Sequence, residues 1–134
     1  MKRLLLLLLV ILNAACGPSE PVAKEPVWGK QPCEHCAMLL SEKEHGAQVL
    51  TLDDDRLYFD DLGCLVAWLD AHPNATRAQW VRASDAQTWV PLAKAGFAPA
   101  KHTPMDFGFV ATAKPGTVTW QQVTEAVRAK LRAK

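Results

Sequence analysis

A chain of 134 residues, 49% of them hydrophobic and 22% charged, has room for one compact domain and enough apolar material, including 5 Trp, to give it a core. The formal net charge is +1, and Lys2 and Arg3 at the extreme N-terminus supply two of the positive charges, so the remainder stands at −1. That balance gives nucleic-acid binding no electrostatic support, and the basic residues near the end, Arg128, Lys130, Arg132 and Lys134, suit a helix C-terminus instead.

Met1-Lys2-Arg3, the apolar run Leu4 to Leu12 and the small pair Ala14-Ala15 form the three regions of an export signal. The apolar run is too short to cross about 30 Å of hydrocarbon as a helix. Cys16 follows the small residues directly, an arrangement that resembles the bacterial lipoprotein signal, in which this cysteine is lipidated. Residues 1–15 are therefore expected to be a signal peptide. Residues 16–32 carry Pro18, Pro21, Pro26 and Pro32 among Ser, Glu and Lys, and are expected to be a lipidated flexible tether. The folded body is expected over 33–134.

Within the body, Ala47 to Leu52 and Arg56 to Phe59 are β-prone runs separated by Asp53-Asp54-Asp55, which predicts a hairpin. Asp60-Asp61 then caps a pattern of Leu62, Leu65, Val66 and Leu69 at helical spacing, closed by His72-Pro73. Gln79 to Ala83, Thr88 to Val90 and Phe107 to Thr112 read as further strands. A last helix is predicted from the capping box Thr119/Gln122, with Trp120, Val123, Val127 and Leu131 as its buried stripe. Interleaved strand pairs and helices predict an α+β fold.

Four cysteines carry the chemistry. With Cys16 assigned to lipid, Cys33 and Cys36 form a CxxC, and Cys64 falls inside the first helix, where a small buried hydrophobe is expected. A CxxC alone fits zinc, haem attachment or thiol redox chemistry. Ala37 stands where haem attachment needs His; His45 alone does not complete a structural zinc site; and no long helix follows Cys36 to stabilise a redox thiolate. Met38 lies two positions after Cys36, so in an extended segment thiolate and thioether point to one side, a soft donor pair suited to Cu(I). His102-Thr103-Pro104-Met105 presents a second thioether on a stiffened loop, and His102 or His35 is a possible nitrogen ligand. Metal site residues are thus expected among Cys36, Met38 and Met105, with His35 and His102. No catalytic triad, phosphate loop or nucleotide fingerprint is visible, and an enzyme is not expected.

The series Cys33-Glu34-His35-Cys36-Ala37-Met38, Ala47-Gln48, Tyr58 to Leu65, Trp80-Val81, Trp89 and Thr103-Pro104-Met105 resembles, in order, the motifs of the NosL family of lipoprotein copper chaperones. The resemblance implies two small ββαβ-type units similar to part of the organomercurial lyase fold. It also implies Cu(I) held by Cys36 and Met38 first, with Met105, Cys33, His35 and His102 as further ligands, and delivery of copper to a cuproenzyme, nitrous oxide reductase. The implied partners are that recipient and copper-donating envelope proteins, and the implied place is the envelope, anchored by lipid and facing the periplasm. Ala37 stands where the family has Gly, which predicts a backbone there without access to positive φ. The alternative function is an envelope thiol-disulfide protein cycling Cys33 and Cys36; a metal-free interaction module is a third class.

Overall fold

The computed structural model describes residues 17–134, so the export signal and Cys16 lie outside the described residues. The Asp-rich turn does join a hairpin: β1 (Ala47–Thr51) and β2 (Arg56–Phe59) run antiparallel, with Ala47 opposite Phe59 and Leu50 opposite Arg56. Asp54 turns the chain at φ +67°, and Thr51 Oγ1 accepts a bond from the Asp55 amide at 3.0 Å.

Helix α1 (Leu62–Ala71) starts where its cap was expected, with the Asp61 carboxylate accepting from the Gly63 amide at 2.9 Å. Its first turns are buried on nearly every side, through Leu62, Gly63, Cys64, Leu65, Val66 and Trp68. The long strand β3 (Thr76–Ala83) follows, starting three residues earlier than its apolar end suggested. β1 pairs with one edge of β3. β4 (Thr88–Pro91) pairs with β3 from Trp80 to Ala83.

Two more strands complete the sheet. β5 (Gly96–Pro99), which has no alternating pattern, pairs antiparallel with β6 (Phe109–Thr112). β6 joins the end of β3 in parallel at Ala83 and Ala111, where the Ser84 amide donates to the Ala111 carbonyl at 2.9 Å. The strand order is β2-β1-β3-β6-β5, with β4 attached to β3. Helix α2 (Trp120–Arg132) opens on the Thr119/Gln122 capping box and buries Val123 and Val127.

The protein is thus a small α+β domain with one six-stranded sheet and two helices. One ββαβ unit, β1–β2–α1–β3, is present. The second half runs β4–β5–β6–α2, and no strand follows α2 among the described residues, so a second unit of that kind is not completed. The core gathers Phe59, Leu62, Leu65 and Val66 with Val81, Phe97, Val123 and Val127. Outside it, Arg128 of α2 grips Asp70 of α1 through two bonds of 2.7 Å.

The segment expected to be a tether is attached to the body from Val22 onward. Buried Gln48 exchanges two bonds with the backbone of Lys24, at 3.0 and 2.9 Å. Arg56 donates to the Val22 carbonyl, and Glu25 pairs with buried Arg82. The physical reason is that β1 is buried along almost its whole length, and the polar group of Gln48 needs partners that the N-terminal segment supplies.

Candidate metal centre

The segment around the CxxC folds as a narrow loop. Leu40 bonds across it twice, its amide donating to the Gln31 carbonyl at 2.9 Å and its carbonyl accepting from the Gly29 amide at 2.7 Å, and the Cys33 amide donates to the Met38 carbonyl at 2.8 Å. The Ala37 amide returns to the Cys33 carbonyl at 2.9 Å, while the Glu34 amide ties the loop to Tyr58 of β2 at 2.8 Å. Ala37 closes the turn at φ +63°. The expectation that alanine keeps this position out of positive φ is therefore wrong: the loop's hydrogen bonds over-determine a conformation that costs a non-glycine residue about 1–2 kcal/mol. The turn also overturns the extended geometry that was to align Cys36 with Met38.

Cys33 points into the core at 2% exposure, and Cys36 is half-buried. Opposite them, β2 ends and α1 begins. Asp60, 3% exposed, is the last residue before the cap, and Cys64 sits on the first turn of α1, with no exposed surface. Here the two stretches of chain meet: donor atoms of Cys33, Cys36, Asp60 and Cys64 all lie within 4.8 Å of one another. Asp60 Oδ1 accepts from the Cys36 thiol at 3.4 Å and lies 3.6 Å from the Cys64 sulfur. All three cysteines are free thiols.

The electrostatics divide the sulfurs into two kinds. The Cys64 thiol donates to Cys33 and, against the cost of burial and helped by the amides of Cys36, Asp60 and His35, brings the Cys33 thiol down to about 6. Of the three sulfurs, Cys33 gives up its proton most readily, cradled as it is by backbone N–H groups. Cys36 is pushed up to about 11, by burial first and then by the neighbouring Cys33 and Asp60 charges. Cys64 is raised as well, because ionising it sacrifices its bond to Cys33 and because it is buried beside those same charges.

Three sulfurs and one carboxylate in this arrangement can hold a metal ion. Thiolate bonds to a tetrahedral ion of about 2.3 Å put sulfurs some 3.8 Å apart, so closure around an ion asks for a contraction of about 1 Å at most. A cation would replace the protons of Cys36 and Cys64 and offset the crowded negative charge.

The other expected ligands are distributed differently. Met38 is 53% exposed, and His35 and His102 are exposed. Met105 is half-buried against the core, and its amide donates to Asp61 Oδ2 at 2.9 Å, which fastens its loop to the N-terminus of α1. Cys64, expected as core filler, belongs to the cluster, and so does Asp60, expected only as part of a helix cap. The signal that pointed to them was the spacing of Asp60 and Cys64, four apart across a helix start.

No protein-family model matches the chain, and no curated protein or solved structure matches it either.

Proposed function

We propose that this protein is a Cu(I)-binding metallochaperone of the bacterial envelope, with Cys33, Cys36 and Cys64 as the donors that hold the ion. The observation that carries the reading is the convergence of these three sulfurs with Asp60 within 4.8 Å. A sulfur-rich set of this kind favours a soft ion. Cys33 and Cys64 are buried, which protects a bound ion from oxidation, and half-buried Cys36 gives a partner sulfur a place to begin ligand exchange. Exposed Met38, two residues from Cys36 in the chain, offers a thioether to an ion entering or leaving.

The order of motifs, which resembles that of the NosL family, supports the rest of the reading: a lipid on Cys16, a periplasm-facing position, copper-donating envelope proteins upstream and nitrous oxide reductase as recipient. The protein acts by binding and transfer, without catalysis. Thiol-disulfide cycling of Cys33 and Cys36 is less well served by the geometry, because it uses only two of the four converging donors and gives Cys64 and Asp60 no part.

Competition of the reduced protein between a chromophoric Cu(I) chelator and Zn(II) tests the proposal. Cu(I) is expected to win, Cys64→Ser to weaken it by about 10- to 100-fold or more, and Met38→Ala to weaken it less. Preference for zinc, or parental Cu(I) affinity in Cys64→Ser, would sink the site as drawn.

A further inference from the structure

A second group of donors stands apart from the cysteines, just ahead of β1. A single 3-10 turn, Lys43–His45, carries it, with the His45 amide bonded to the Glu42 carbonyl at 3.1 Å. Gly46 then passes beneath the stacked rings of Trp28 and Trp89, so close that an added Cβ would meet Trp28 at 3.0 Å and Trp89 at 3.3 Å. This passage fixes His45 in place.

His45 is 7% exposed, yet its ring is poorly provided for. Nδ1 is buried without a hydrogen-bond partner, and Nε2 faces Glu42 Oε2 at 3.4 Å, beyond the usual length of such a bond. Buried imidazoles ordinarily satisfy their nitrogens, since leaving them unpaired costs stability. A ring nitrogen of His45 and one carboxylate oxygen each from Glu42 and Glu44 lie within 4.8 Å of one another. Both glutamates are exposed, which leaves the remaining coordination positions open to water.

We propose that Glu42, Glu44 and His45 bind a first-row divalent cation through one nitrogen and two oxygens. This donor set is of the opposite character to the cysteine cluster: imidazole with carboxylates suits borderline ions such as Zn(II) and Co(II), and lacks the sulfur that soft Cu(I) prefers. The site stands whether or not the cysteines carry copper.

Co(II) is the probe that separates the two sites, because cobalt bound to sulfur gives intense near-ultraviolet charge-transfer bands and cobalt bound to nitrogen and oxygen gives only weak visible bands. Titration of the reduced full-length protein with Co(II) is expected to show a species with visible bands and no sulfur charge transfer. The double variant Glu42→Gln/Glu44→Gln, which alters only exposed side chains, is expected to bind that ion at least about tenfold more weakly, and His45→Gln likewise. Uptake of cobalt only with sulfur charge transfer, no uptake at all, or an unchanged nitrogen–oxygen species in the double variant would overturn the proposal.

Discussion

Ala37 occupies a conformation that alanine pays for and glycine does not. Replacing it with glycine removes about 1–2 kcal/mol of left-handed strain but adds about 0.5–1 kcal/mol of unfolded-chain freedom. Ala37→Gly is therefore expected to stabilise the protein by up to about 1.5 kcal/mol in urea unfolding; a loss of stability would show that the turn carries no strain. The same residue explains what could and could not be read of the site. Cys33 and Cys36 were legible because two sulfurs at this spacing limit the chemistry by themselves. The alignment of Met38 with Cys36 was argued from an extended backbone, and a single positive φ removes that premise. Cys64 was hidden for another reason: a cysteine among Leu62, Leu65 and Trp68 reads as packing, and it does pack. Only the crossing of the CxxC loop over the end of β2, through the Glu34–Tyr58 bond, reveals its second role.

At the scale of elements, the N-terminus of α1 is the part on which the centre depends. Asp61 caps the helix with one carboxylate oxygen and holds the Met105 amide with the other. The ring of Phe107 lies across Gly63 so tightly that a Cβ there would sit 2.0 Å from it. Gly63→Ala is expected to cost about 1–3 kcal/mol, to displace the 103–108 loop, and to disturb near-ultraviolet circular dichroism; retention of parental stability would mean that the loop yields freely. Both helices could be read from periodicity and caps, because Asp61 and Thr119 each begin an apolar stripe at helical spacing. β5 could not, since Gly96-Phe97-Ala98-Pro99 offers one large side chain and no alternation, and its place is set by pairing with β6 on one side and by the Val118 amide, which donates to the Phe97 carbonyl at 3.1 Å, on the other. The start of β6 was read two residues early, because Phe107 belongs to the contact with α1 and Gly108 turns at φ +85° before the strand begins.

For the molecule as a whole, the N-terminal segment acts as a strap across the sheet. Glu25 joins it to Arg82, whose guanidinium lies 5.6 Å from the ring centres of both Trp28 and Trp89. Burial tends to raise the Glu25 carboxyl, but bonds from Trp28, Arg82 and Trp89 outweigh it and hold the group below its ordinary 4.5. A lowered folded value stabilises the protein above the unfolded value and is lost as pH falls through the folded one. Glu25→Gln is accordingly expected to lower stability by about 1 kcal/mol at neutral pH, discounted for the exposure of the carboxylate. Melting temperatures of parent and variant should converge as the medium is acidified below about pH 4.5; a gap that persists would remove Glu25 from the linkage. Composition alone suggested a tether here because proline-rich chain carries little to bury; what holds it is backbone bonding to Gln48 and one ion pair, neither of which leaves a hydrophobic pattern. The strap also sets a leash. Between Cys16 and Val22, whose carbonyl accepts from Arg56, stand residues 17–21, a span of roughly 20 Å at full extension. A lipid on Cys16 would thus keep the folded body grazing the bilayer surface, and a recipient would have to bring its acceptor site down to the membrane to collect its ion.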